Sequence, residues 1–399
     1  MLGVFVGRQP IFDRQLEVIG YKLLFHKYEE AQAEFIDETI ASSHLILNTF
    51  MEIGLERLVG SGLAFINLTR DSIIEKHPLK LLQDRVVLEI KKNIIEDKDL
   101  LLALHELSNH GFKIAIDGVV DPDDVNSLID IVSIVNLDIA AIEQKNLKGI
   151  VTALKLHKVK LLAGNVETLD TFDICKSLKF DYFQGFFLSK PNLKIGERMP
   201  ATRMAILRLL AKLHDPDIEF KELNEIIKED VTLSYRLLRL INSVFYARSK
   251  KIESIHQALT LLGIRRVQEW VSMLLLLKFS SKPNELTITA MERAKMCELL
   301  TQALNEKEKE KGFMVGMFSV LDGLLDMPMN EILKTLPLSD EISAALLRHE
   351  GPLGAVLHCV LAYERGEWEE TWLPDIERGM ILNAFLESLD WATTVSSLL

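Results

Sequence analysis

Short apolar runs recur along the first half of the chain. They are LAFINL (63–68), RVVLEI (85–90), FKIAID (112–117), IVSIVNLD (131–138), VKLLAG (159–164) and DYFQGFFLS (181–189). Helical periodicity lies between them, as from Leu100 to Asn109, where Leu101, Leu104 and Leu107 share a face. Strand and helix in regular alternation predict a mostly parallel sheet, and the even spacing favours a closed α/β barrel. Runs apolar on both faces suit strands held between a filled interior and outer helices.

One earlier run, IGYKLLFH (19–26), reads as a buried strand interrupted by Lys22. A buried ammonium is expensive unless an opposite charge meets it. The pattern therefore predicts carboxylates converging on Lys22.

From about Ala201 the strand signal ends and helical periodicity takes over. Ile206, Leu207, Leu210 and Leu213 form one stripe; Leu223, Ile226 and Ile227 form the next; Leu233, Leu237, Leu240 and Ile241 follow. Between the halves, NLKIGERMP (192–200) carries the Gly, Pro and charges of a linker. The expected organisation is a barrel over 1–191, a linker over 192–200 and an all-α domain over 201–399.

Composition narrows the class. A net charge of −12 argues against nonspecific binding to nucleic acid or to an anionic membrane. The three cysteines, Cys175, Cys297 and Cys359, lie far apart with no CxxC pair, which fits a reducing cytoplasm. The longest apolar run, Val271 to Leu277 broken by Ser272, is far short of the roughly 20 residues of a membrane helix. A soluble cytoplasmic protein without a membrane partner is expected.

The strand ends carry the candidate chemistry. Asn67, Glu89, Asp117, Asn136 with Asp138, and Gln184 each close an apolar run. Polar groups at the C-terminal ends of parallel strands converge on one rim, where barrel sites are built. An asparagine with two carboxylates is an oxygen-rich set suited to a hard divalent cation.

These residues carry a resemblance. Residues 1–191 resemble an EAL domain, the TIM-like barrel family of cyclic di-GMP phosphodiesterases. DYFQGFFLSKP (181–191) resembles the family's closing motif through Gln184, Gly185, Lys190 and Pro191. FINLT places Asn67, LEI places Glu89 and AID places Asp117 on positions that hold metal in the family. The departures are at the signature Glu-Ala-Leu, which is Lys22-Leu23-Leu24, and at its phosphate-holding arginine, which is His26. The second aspartate of the DDFG motif falls on Gly118, the water-activating lysine on Asn136, and the first glutamate of AEGVE on Gly164. Two-metal phosphodiester hydrolysis needs its cations to make and stabilise charge. The resemblance with these departures implies no enzymatic activity, no metal and no cofactor, with Lys22 as the charge that replaces the metal. Asn67, Glu89, Asp117 and Gln184 remain as a vestigial site open to a ligand.

Residues 201–399 resemble an HDOD domain, a relative of the HD phosphohydrolases, through EDVTLSYRLLRLINS (229–243) and IESIHQALTLLGIRRVQEWV (252–271). Ser319 and Val320 stand where a true HD enzyme has its metal-binding pair, and neither is a ligand. His214, His256, His349 and His358 show no spacing of a metal cluster. The helix, Gly-centred turn and helix around Arg265 and Arg266 also mimic a DNA-reading helix-turn-helix. The acidic balance weighs against it, and two packed helices are the simpler reading.

The chain thus reads as a bacterial signalling protein working through protein–protein interaction with a regulatory partner. A receptor that binds cyclic di-GMP without cleaving it is the alternative, and residual hydrolysis comes last. A homodimer stays open.

Overall fold

In the computed structural model, the described residues are 4–27, 53–75, 82–92, 98–188, 201–215, 217–228, 231–244, 252–279 and 283–397. They cluster into two compact units, Met1–Leu188 with Glu364–Trp368, and Ser189–Tyr363 with Glu369–Leu399. The expected linker 192–200, and Lys190 with Pro191, lie outside the described residues.

The first unit is a closed eight-stranded barrel with the strands in chain order. The strands are β1 (Val4–Phe12), β2 (Val18–Lys27), β3 (Leu63–Asn67), β4 (Val86–Lys91), β5 (Lys113–Val119), β6 (Ile134–Asp138), β7 (Lys160–Gly164) and β8 (Tyr182–Gln184). Strands β2 to β8 pair in parallel; β1 is antiparallel to both β2 and β8 and closes the ring. Hydrophobic pattern and strand agree within a few residues for every run named above. The opening strand β1 was not among the expected ones, because Arg8, Gln9 and Pro10 break its apolar run.

Inside the barrel, Ile11, Phe65, Val87, Ala115, Ile134 and Leu162 form one buried layer. Side chains alternate along a strand, so residues two positions on share the same face. Two residues beyond that layer stand Asn67, Glu89, Asp117, Asn136 and Gly164. Because β1 runs the other way, its member of this second layer, Gln9, comes two residues before Ile11. The apolar layer is the floor of the barrel mouth; the polar layer is its lining.

The second unit is helical. Its longest helix, Asn284–Leu304, buries Ala290, Met291, Ala294, Cys297 and Leu300. The helices Lys309–Phe318 and Arg378–Ser396 pack against it. Burial of such apolar stripes, at about 25 cal/mol per Å², is the main source of stability in this unit. Among the described residues, no helix is long and apolar enough to cross a membrane.

Candidate functional site

Lys22 extends from β2 into the mouth and is almost wholly buried. Its Nζ lies 2.6 Å from Asp117 Oδ2, to which it donates a hydrogen bond, and 3.3 Å from Glu89 Oε2. Barrel stagger makes this meeting: Glu89 is in register with Ala115, and Asp117 with Lys91, so Asp117 sits one step farther up the rim. Burial alone would lower the Lys22 pKa, but the facing carboxylates Glu89 and Asp117 hold it well above the ordinary lysine range. Glu89 is completely buried. Desolvation lifts its carboxyl to about 7, against the opposing pull of the Lys22 ammonium.

The other oxygen of Asp117 is also taken. Asn136 Nδ2 donates to Asp117 Oδ1 at 2.6 Å. Asn136 has room to do so because the neighbouring position on β7 is Gly164. A Cβ at residue 164 would stand 2.5 Å from Asn136 Oδ1. Gly118, next to Asp117, adopts φ +76° where the β5–β6 register shifts. That left-handed turn suits glycine and bends the strand just past Asp117.

Gln184 lies in the same layer but engages a different neighbour, donating from Nε2 to Gln9 Oε1 at 2.7 Å. Gln9 escaped the sequence reading; the apolar run around it is broken, and only the antiparallel closure of β1 brings it to the rim. His26 stands four residues beyond Lys22 on β2, in register with Phe5 of β1. Asp138 is occupied outside the cluster, accepting from Asn165 Nδ2 at 3.0 Å and from the Ala140 amide at 3.2 Å. Asn67 is next to Glu89 in register, and its buried Oδ1 accepts no hydrogen bond among the described residues; the same holds for Asn136 Oδ1.

The resemblance implies a divalent cation among Asn67, Glu89, Asp117 and position 22. The two unpartnered amide oxygens are buried, and the centre of the set is filled by the Lys22 ammonium. An ion bound to Glu89 and Asp117 would be held against the Lys22 ammonium, which stands 3.3 and 2.6 Å from their oxygens. Repulsion between charges of +2 and +1 about 3 Å apart is on the order of 10 kcal/mol at an effective dielectric of 20. In this arrangement the residues fit an ammonium and do not fit an added metal.

In the helical unit, Val320 is fully buried. Ser319 accepts from Arg293 Nη1 at 3.2 Å and donates to the Gly316 carbonyl at 2.7 Å. Both residues serve packing. His214 is half-buried, with Nε2 2.9 Å from Ser272 Oγ and its ring edge-on to Phe318. Desolvation depresses its pKa to about 4. Arg266 points inward: Nη1 lies 2.8 Å from Glu269 Oε2 and Nη2 2.7 Å from Glu298 Oε1. Lys295 also reaches Glu298, at 2.9 Å. Arg266 is thus an internal brace between its own helix, Ile264–Phe279, and the helix Asn284–Leu304. Among the described residues, no group of three His, Cys, Asp or Glu side chains is placed to hold a metal.

Comparisons with known proteins bear on both units. The EAL domain model matches residues 9–191 and the HDOD domain model residues 199–329. A protein of Vibrio cholerae named cyclic di-GMP phosphodiesterase CdgJ is 31% identical over 100% of this chain and 94% of its own length. The uncharacterized protein YuxH of Bacillus subtilis is 30% identical, over 97% of this chain and 98% of its own. Among solved structures, the Bacillus subtilis YkuI protein, with an EAL domain in complex with c-di-GMP and calcium, is 18% identical. It covers 65% of this chain and 72% of that one, with a TM-score of 0.37.

These findings correct one expectation. The absence of enzymatic activity, inferred from Lys22, His26, Gly118, Asn136 and Gly164, is contradicted by the phosphodiesterase name of a relative that aligns with the whole chain. The mouth instead keeps a cation, two carboxylates and the Asn136 amide in mutual contact, so substitution by itself does not establish degeneracy. Both domains are present in the expected order, and full-length relatives share them: the chain belongs to the EAL–HDOD family of signalling proteins, related to the cyclic di-GMP phosphodiesterases.

Proposed function

We propose that the protein acts on cyclic di-GMP at the mouth of its barrel and passes the outcome to a regulatory protein through its helical unit. The observation that carries the first part is the 31% identity, along the whole chain, to a protein named a cyclic di-GMP phosphodiesterase. The mouth supports it chemically. Gln9 and Gln184 at the rim carry amide groups of the kind that hydrogen-bond a nucleotide, and Lys22 offsets the carboxylate charge that would otherwise repel a phosphodiester. Support for the second part is that Ser319 and Val320 are spent on packing, which leaves the helical unit a scaffold.

The test is to incubate the full chain with cyclic di-GMP, resolve the products chromatographically and titrate the ligand calorimetrically in parallel. Linear product that disappears in Glu89→Gln is the expected result. Binding without product would overturn the hydrolytic reading, and neither heat nor product at high protein concentration would overturn the ligand as well. For the partner, cross-linking of the full chain in a cell extract should place the contacts on residues 201–399. Contacts confined to the barrel would remove the role given to the helical unit.

A further inference from the structure

The mouth of the barrel goes further than a site that has lost a ligand. Its carboxylates, its cation and its spacing are fitted to each other. Lys22 is 8% exposed, so its ammonium has no ready route to solvent. Two carboxylates face it at 2.6 and 3.3 Å. A lysine ammonium has three donors and can serve both. Both oxygens of Asp117 are engaged, Oδ2 by Lys22 and Oδ1 by Asn136. The Asn136 amide in turn occupies the space that a side chain at residue 164 would need.

We propose that Lys22 excludes divalent metal from the barrel mouth and itself supplies the positive charge there, with Asn136 and Gly164 completing the exchange. Three positions on three strands then form one unit. Lys22 neutralises the carboxylates, Asn136 holds Asp117 in the orientation that Lys22 needs, and Gly164 leaves room for Asn136. The inference goes beyond the reading of the mouth as a cyclic di-GMP site, and it stands or falls on metal uptake whether or not the dinucleotide is cleaved.

The experiment is a Mn²⁺ titration of the full chain without nucleotide, following free Mn²⁺ by electron paramagnetic resonance. Wild type and Glu89→Gln should give superimposable curves, since neither binds the ion in the mouth. Lys22→Glu restores an oxygen ligand and should gain one site per chain, which Lys22→Glu/Glu89→Gln loses. A wild-type site abolished by Glu89→Gln overturns the proposal, as does a folded Lys22→Glu that gains none. Should Lys22→Glu fail to fold, the wild type still decides. The ¹⁵N signal of the Lys22 ammonium, assigned by its loss in Lys22→Met, should be broadened by Mn²⁺ no more than that of exposed lysines. Selective broadening at Lys22 overturns the proposal.

Discussion

Gly164 and Asn136 are complementary: the hydrogen at one α-carbon makes the space that the other's amide fills, with only 2.5 Å between a Cβ at 164 and Asn136 Oδ1. Gly164→Ala should therefore drive Asn136 from Asp117 and leave a partly buried carboxylate oxygen short of a donor. The expected loss is about 1–3 kcal/mol of stability in urea unfolding. In an Asn136→Ala background the same change should lose less, because the clash is gone. Equal losses in the two backgrounds would show that the two residues are not coupled.

Lys22→Met should be far more damaging than its volume implies. It strands Glu89 and Asp117 in the mouth, and removing one partner of a buried ion pair generally destabilises by about 3–5 kcal/mol. Adding Glu89→Gln and Asp117→Asn to Lys22→Met should recover much of the loss. A Lys22→Met protein as stable as wild type would mean that the ammonium was not neutralising the pair.

Arg265 and Arg266 are neighbours with opposite predicted effects. Arg266→Ala leaves the buried carboxylates of Glu269 and Glu298 without their brace and should lower stability by about 3–5 kcal/mol. Arg265 is exposed and reaches Glu310 only at 3.8 Å, so Arg265→Ala should change stability by less than about 1 kcal/mol. Thermal unfolding of the two variants side by side checks the contrast.

His214 sets a pH dependence. Its pKa is about 4 in the fold against 6.5 for an ordinary histidine, so the unfolded chain binds the extra proton first. Stability is then fully present above pH 6.5 and is lost as pH falls through the window toward 4. At pH 5 the contribution lost is about 2 kcal/mol. His214→Gln should flatten the fall in unfolding free energy between pH 7 and 5. A variant with the same slope as wild type would show that other groups set it.

The barrel was legible because strands covered on two sides are apolar on both, and such runs stand out between helices. Lys22 was legible for the converse reason, as one charge in an apolar run that demanded partners. What the chain did not display were contacts created by closure and stagger. Asn136 meets Asp117 across the β5–β6 pair, and Gln9 meets Gln184 where the first strand closes on the last. Arg266 is similar. In sequence it opens a helix as an exposed residue would, and its partner Glu298 comes from another helix 32 residues on. Activity was the hardest property to read, since replacement of a ligand says what a site lacks and not what its remaining groups do together.

The mutual fit in the mouth also constrains how these positions can vary. Changing Lys22 to glutamate alone would gather three carboxylates in one small space, while Asn136 still filled the gap above Gly164. A change at one of the three positions alters what the other two must do, so proteins that share this mouth should carry Lys22, Asn136 and Gly164 together.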